Sequence, residues 1–353
     1  MIENIWWTVV PNSARYINDI ATAFAEGKSV VCVLPEKCEW LDTMRSVIME
    51  KILSGVNKTY VVSGSDVGNI APGEYLAEML VKKDIRAKYR TSIGYEEFLT
   101  RIESETALIN SYIYLKDMTE EQASAWLQFI SGYNRKHTPD APRCKFIIEV
   151  FRSECKKTPL ESVFRREDYF RNYDINIMCM LVSSQVNISD YFRDYLIDLT
   201  VMCSENDPEL ASLLILEGEK FIKAPEKVLY QTVSENVRSN MENFAVPNEL
   251  NSKIWKAQNR VFFPLIEQYR LSFIKLHEND FHIDGKITNS VGEEIENILE
   301  LELNTIKWLY DHFQLTLTKQ EVEELKFFKQ CRNDLAHLKV LEYSRLQQIV
   351  NTV

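Results

Sequence analysis

Glycine and proline are scarce, ten of each in 353 residues, which leaves little material for long flexible linkers. Uncharged apolar runs are short. The most apolar, Ile175 to Val182, falls well below the roughly 18–20 residues that a membrane-spanning helix requires. The opening Met1-Ile2-Glu3-Asn4-Ile5-Trp6-Trp7 has neither the basic segment nor the apolar core of a secretory signal. None of the seven cysteines, at positions 32, 38, 144, 155, 179, 203 and 331, forms a CxxC pair. Several lie in apolar surroundings such as Val30-Val31-Cys32-Val33-Leu34 and read as small buried hydrophobes of a reducing compartment, not as disulfides or zinc ligands. Positive charge is also short: 41 Lys and Arg against 52 Asp and Glu give a formal net charge of -11. That argues against a broad basic surface for wrapping nucleic acid, because affinity for phosphate backbones comes largely from counterions displaced by Lys and Arg. Any contact with RNA has to be local. These absences predict a cytoplasmic protein with no membrane segment.

What is present is ordinary globular material, 45% hydrophobic and 26% charged, enough to bury a real core. The length predicts about two domains. The first half alternates helix-like and strand-like segments. Helices are expected over Ser13–Ala25, Glu36–Leu53, Pro72–Lys83, Gly94–Ile102 and Thr119–Tyr133. Strands are expected at Val30–Leu34, Tyr60–Val62, Leu108–Leu115, Lys145–Phe151 and Ile175–Val182. Short strands, apolar on both faces and separated by helices, predict a mostly parallel sheet covered on both sides. From about Asp190 onward the pattern is helical. The domain boundary is placed near Ala245-Val246-Pro247-Asn248, where proline and asparagine precede a long helix. The expected organisation is an α/β domain with a helical extension over 1–245 and an all-α bundle over 246–353.

Gly27-Lys28-Ser29 spells the end of a phosphate-binding GxxxxGK[ST] loop, but Thr22 stands where its first glycine belongs. The order is also reversed, since the tripeptide ends a helix and leads into a strand, whereas a working loop follows a strand and opens a helix. After the strand Val30–Leu34 the sequence reads Pro35-Glu36-Lys37-Cys38-Glu39-Trp40, with no glycine and two acids that repel a triphosphate. The layout still resembles a P-loop ATPase of the STAND or AAA kind whose motifs have been lost. Asp117, at the end of Tyr112-Ile113-Tyr114-Leu115-Lys116, sits where that family carries a Walker B acid, but no second acid follows and Lys116 lies beside it. Asp117 reads better as a residue leading into the next helix. Ser63-Gly64-Ser65-Asp66-Val67-Gly68 reads as a turn, and the basic cluster Lys82, Lys83, Arg86, Lys88 and Arg90 as a solvated face. In an acidic chain that cluster is also the place where RNA or an acidic partner would land.

The chemistry-bearing stretch is Phe327-Phe328-Lys329-Gln330-Cys331-Arg332-Asn333-Asp334-Leu335-Ala336-His337-Leu338. Upstream, Asn248–His277 reads as one long helix containing Pro264, and Val291–Phe313 as a second, with Glu293 and Glu294 favourable in its first turn. Thr318-x-x-Glu321 is a capping-box signature for the helix that carries the stretch. On that helix Leu325, Phe328, Cys331, Leu335 and Leu338 form the core stripe, and Asn333 and His337, four apart, share a face directed away from it. Arg332 and His337 are five apart, about 140° around a straight helix. A bend, or a two-fold dimer bringing two such helices together, is needed to converge them. A second Arg/His pair, Arg270 and His277, lacks a polar neighbour and reads as helix packing.

Arg332-Asn333-x-x-x-His337, with the amphipathic helices before it, resembles the Arg-polar-x(3–5)-His signature of HEPN domains. These are helical bundles that often act as metal-independent ribonucleases. The resemblance covers about the last hundred residues. It implies a dimeric endoribonuclease with Arg332, Asn333 and His337 as catalytic residues and RNA as substrate, needing no cofactor or metal. Its relatives are effectors of prokaryotic toxin–antitoxin and anti-phage systems, so a protein partner in a defence complex is also implied. The residue types suit the reaction. Histidine moves a proton near neutral pH, and arginine forks two donors onto a phosphate as charge develops. Two alternatives stay open: a non-catalytic HEPN/ATPase-like scaffold or sensor subunit, and a nucleotide-dependent switch.

Overall fold

Five short strands, β1 (Val30–Leu34), β2 (Thr59–Ser63), β3 (Tyr112–Lys116), β4 (Lys145–Phe151) and β5 (Ser162–Arg165), form one sheet in the order β2-β3-β4-β1-β5. Every pairing is parallel, with Val30 opposite Ile147 on one side and Ser162 on the other. These details come from a computed structural model, which describes residues 1–53, 58–137, 143–151, 162–235, 247–281, 287–288, 294–295 and 297–353. β1 is buried along its whole length, as expected of a strand apolar on both faces. Val31, Val33, Ile113, Leu115, Phe146 and Ile148 pack with Leu76, Leu99, Trp126 and Ile130 from helices Pro72–Leu80, Gly94–Ile102 and Glu120–Arg135. On the opposite face lie Cys32, Tyr16 and Tyr114, fully or almost fully buried.

Contacts divide the chain into two compact units, Met1–Asp174 and Ile175–Val353. The boundary expected at 245/246 lies elsewhere than this division, and Ala245 and Val246 fall outside the described residues. The helices that the sequence attached to the first domain, such as Asp190–Ser204, Pro208–Glu217 and Pro225–Glu235, belong to the second unit. There Asp190–Ser204 packs along the long helix Pro247–Leu276, with Tyr195 against Phe262 at 5.2 Å between ring centroids.

The expected helices and strands are largely present, although the strand expected at Leu108–Leu115 is Tyr112–Lys116 and the helix expected over Glu36–Leu53 starts at Leu41; three larger differences remain. Ile175–Val182 is not a strand but part of the helix Asn172–Ser183. Ile175, Met178, Cys179 and Val182 are buried at helical spacing, while Met180 and Leu181 between them are exposed. In eight residues, all apolar but Asn176, the two periods are hard to tell apart. The edge strand β5 carries Arg165 and only four residues, too short to signal itself. The expected helix Val291–Phe313 is reduced to Leu303–Asp311. Before it come a short pairing of Ile287–Thr288 with Glu294–Ile295 and a single turn Ile298–Glu300, in which Asn297 accepts from the Leu299 N–H. Glu293 lies outside the described residues. Pro264 does not end the long helix.

Candidate functional site

The helix Lys319–Ala336 begins as the sequence indicates. The Glu321 N–H donates to Thr318 Oγ1 at 3.3 Å, and the Thr318 N–H donates to Glu321 Oε2 at 2.7 Å. Val322, Leu325, Phe328, Cys331 and Leu335 are buried on one side. The Phe328 ring stacks on Tyr269 of the long helix at 3.7 Å. Leu338, expected to continue this stripe, is 67% exposed. The helix has already ended: His337 is its cap, and Leu338 takes a left-handed backbone with φ 60°. The N–H groups of Leu338 and Lys339 donate to the carbonyls of Leu335 and Asp334 at 3.2 and 2.9 Å, a Schellman closure.

The turn that carries His337 is pinned on every side except at the imidazole. The Trp255 indole donates to the Leu335 carbonyl at 2.7 Å. Buried Gln258 donates to the Leu341 carbonyl at 2.9 Å and accepts from the Leu341 N–H at 2.7 Å. Asp334, also buried, accepts from Arg345 at 2.8 Å and from Gln330 at 3.0 Å, with Lys339 at 3.5 Å. Burial pushes the Asp334 carboxyl up. Arg345 above all, with Gln330 and Lys339, more than reverses this and holds it below its ordinary value. Trp255, Gln258 and Arg345 were not singled out from sequence. Gln258 did leave a signal, a polar residue one helical repeat from both Ile254 and Phe262 on an apolar face.

The other described histidines are engaged. His137 sits between the Tyr133 carbonyl, 2.9 Å away, and Glu103, at 2.6 Å. His277 lies between Asp280 and Glu321 at 2.8 and 3.2 Å, and the His312 ring contacts the Trp308 carbonyl at 2.8 Å. His337 is exposed, and among the described residues its ring has no such partner. Asn333 is half-buried. Arg332, also half-buried, faces a different place: a cleft of about 310 Å³ lined by Phe263, Glu267, Arg270, Glu300 and Glu302, among others. There its guanidinium meets Glu302 at 3.3 Å. His337 is not among the residues lining this cleft. Within one chain the two motif residues therefore open onto different surfaces. Arg270 is structural, as its sequence context indicates. It donates to Glu267 at 2.7 Å and to the carbonyls of Leu299 and Leu301 at 2.7 and 3.1 Å.

In the first unit, the end of the sheet where a phosphate loop would sit holds an internal charge cluster. Arg45, on the helix Leu41–Leu53, donates to Glu149 of β4 at 2.9 and 2.6 Å and to Asp117 at 2.6 Å. Glu149 is fully buried at its side chain and accepts from Tyr114 as well, at 2.7 Å. Asp117 is thus a partner of Arg45, two residues ahead of the helix cap Thr119. In the loop after β1, Glu39 pairs with Arg166 and accepts from the Trp6 indole at 3.0 Å, while Trp40 packs edge-on against Trp6. Gly27-Lys28-Ser29 ends the helix Pro11–Ala25 and leads into β1, as expected. Ser63–Gly68 is a single capped turn of helix, Gly64–Val67, closed by Gly68. Lys82, Lys83, Lys88 and Arg90 are exposed. Among the described residues no three His, Cys, Asp or Glu side chains are grouped as metal ligands, and no helix is long and apolar enough to cross a membrane.

Sheet and helices make the first unit an α/β unit with a five-stranded parallel sheet, followed by a helical second unit. No protein-family model matches the chain, and no curated protein matches it. Among solved structures it is similar to two mutants of RuvB from Thermotoga maritima. One is 11% identical, with a TM-score of 0.37 over 88% of this chain and 96% of that one. The other is 10% identical, with a TM-score of 0.35 over 87% and 95%. Likeness of this degree carries nothing about function.

Proposed function

We propose that the second unit is an endoribonuclease of the HEPN type, acting without a metal as the effector of a defence or toxin–antitoxin system. Arg332, Asn333 and His337 are its catalytic residues. The observation that carries this reading is the state of His337. Its neighbours do the structural tethering, through Trp255, Gln258 and Asp334, and leave the imidazole exposed. A histidine retained for packing would spend its ring on that work, as His137 and His277 do.

In the proposed reaction the RNA 2′-oxygen attacks the adjacent phosphorus and the 5′-oxygen of the next nucleotide leaves. The 2′-hydroxyl gives up its proton, the leaving oxygen gains one, and the product is a 2′,3′-cyclic phosphate. Arg332 neutralises charge that develops on the phosphate, and Asn333 orients the phosphate or the imidazole. A two-fold dimer supplies two imidazoles, one to accept the first proton and one to deliver the second. It also brings the Arg332 of one copy to the His337 of the other.

The test is incubation of the purified chain with RNA in EDTA. The parent is expected to cleave and leave cyclic phosphate ends. His337→Ala is expected to be slower by roughly 10²–10⁴-fold, with stability changed by no more than about 0.5 kcal/mol. Equal cleavage by parent and variant, or unfolding of the variant, would refute the assignment.

A further inference from the structure

The cleft that receives Arg332 differs from the phosphate-binding surface that a ribonuclease motif alone would call for. Its lining counts three carboxylates, Glu267, Glu300 and Glu302, against two guanidiniums, Arg270 and Arg332. One guanidinium is already committed, since Arg270 is bonded to Glu267 and to two backbone carbonyls. A phosphate filling the cleft would meet net negative charge, so the phosphate that Arg332 is proposed to neutralise sits at its rim. A neutral group rich in hydrogen-bond donors would not be repelled. At about 310 Å³ the cleft is at the small end of ligand sites, which run from roughly 300 to 1,000 Å³. Phe263 and Leu303 add apolar surface to its lining.

We propose that this cleft is a subsite for the nucleobase next to the cleaved phosphate, and that it selects guanine. The inference rests on the ribonuclease reading for the kind of ligand it takes. Single-stranded RNA is read by splaying bases out, stacking them on aromatic rings or guanidinium planes, and bonding their Watson–Crick edges. Phe263 and Arg332 supply the stacking surfaces. The carboxylates supply acceptors. Glu300 is exposed, and among the described residues it has no ion-pair partner, so both of its oxygens are open to a ligand. Glu302 shares one oxygen with Arg332. Guanine presents two adjacent donors, N1–H and the N2 amino group, which match the two oxygens of one carboxylate. Adenine, cytosine and uracil each offer a single donor on that edge, next to an acceptor that a carboxylate repels. Because Arg332 lines the same cleft, a base held there places its own 3′-phosphate beside the motif arginine.

The experiment measures binding of the four nucleoside 3′-monophosphates to the full chain by calorimetry or fluorescence. It is run for the parent, Glu300→Gln, Glu302→Gln and His337→Ala, with thermal melts to show that each variant is folded. Guanosine 3′-monophosphate is expected to bind about tenfold tighter than the other three, the scale of one good bidentate base contact. That preference should shrink in one or both glutamine variants, because an amide replaces one acceptor with a donor. His337→Ala should keep it, since His337 does not line the cleft. Equal affinity for all four nucleotides, no binding at millimolar concentration, or a guanine preference untouched in both glutamine variants would overturn the proposal. RNA cleavage without guanine preference would sink this inference and leave the ribonuclease reading standing. Guanine preference without RNA cleavage would do the reverse.

Discussion

Replacing Arg45 by alanine is expected to be among the costliest single changes in the first unit. The Glu149 side chain is completely buried, and Arg45 supplies three of the four close contacts to its carboxylate, the fourth being the Tyr114 hydroxyl. Burial alone would make the arginine easier to deprotonate. The hydrogen bonds and charge of Glu149, then of Asp117, reverse that and raise its pKa. Without Arg45 the carboxylate keeps one neutral donor, the situation in which breaking a buried pair costs about 3–5 kcal/mol. Asp117 is 46% exposed and Asp42 94% exposed, so their pairs add no more than about 1 kcal/mol each. A loss of about 4 kcal/mol is a large share of the 5–15 kcal/mol typical of a domain. It should lower the melting temperature by on the order of 10 °C, at about 2–4 °C per kcal/mol for a unit of this size. Urea titration of Arg45→Ala beside the double variant Arg45→Ala/Glu149→Gln isolates the cause, because the amide removes the uncompensated charge and should recover much of the loss. A single-variant cost below about 1 kcal/mol, or a double variant no better than the single, would show that the pair does not hold the sheet end together.

Three further outcomes follow from the second unit. Leu338→Gly is expected to stabilise by about 0.5–1 kcal/mol. The left-handed backbone penalises leucine by about 1–2 kcal/mol, glycine returns part of this as unfolded-state entropy, and an exposed side chain has little burial to lose; a lower denaturation midpoint would contradict it. Asp334→Asn should cost about 1–3 kcal/mol at neutral pH, the scale of a hydrogen bond to a charged group. Because the folded-state pKa of Asp334 is depressed, its contribution is present above the unfolded value of about 3.9 and is lost as the pH falls through the folded value. The gap between parent and variant should therefore begin to narrow below about pH 4 and close as the pH falls through the depressed folded value, and a gap that does not narrow on acidification would refute the ion-pair account. Mixing Arg332→Ala with His337→Ala should raise RNA cleavage above that of either variant alone if a site is built from the arginine of one copy and the histidine of another, while staying below the parent because the mixed dimer keeps one of its two imidazoles; no gain in a mixture shown to form dimers would refute the composite site.

The legible parts of the fold were those with strong local signals. β1 is an uninterrupted apolar run and β4 one broken only by Glu149 after its opening lysine, and both were read with the bounds they have. Thr119 and Thr318 head helices with a Gln or Glu three residues on, and both capping boxes form. The misreadings share a cause, because each turned on tertiary contacts that no local window contains. Ile175–Val182 is apolar enough for either period. Only the burial of Ile175, Met178, Cys179 and Val182, with Met180 left exposed, distinguishes the two. β5 exists because β1 offers an open edge to Ser162–Arg165, and nothing within those four residues announces it.

The sequence marked the residues of the proposed site but not their geometry. Residue types and spacing singled out Arg332, Asn333 and His337, and helical phase alone separated the arginine from the histidine by about 140°. The fold separates them by another route. The helix ends at Ala336, so His337 takes cap rather than helix geometry, and Leu338 turns the chain away in the left-handed region. Trp255, Gln258 and Arg345 then lock that turn in place. A bend that would carry the imidazole toward Arg332 has to break this set of bonds. Arg332 is meanwhile held at 3.3 Å from Glu302 in its own cleft. Of the two routes to convergence, bending sacrifices a closed network of hydrogen bonds, whereas a second copy approaching the exposed imidazole sacrifices only the half-exposed Arg332–Glu302 pair, whose strength is about 1 kcal/mol or less. On the proposed ribonuclease reading, the energetics of the single chain therefore point to a site completed between chains.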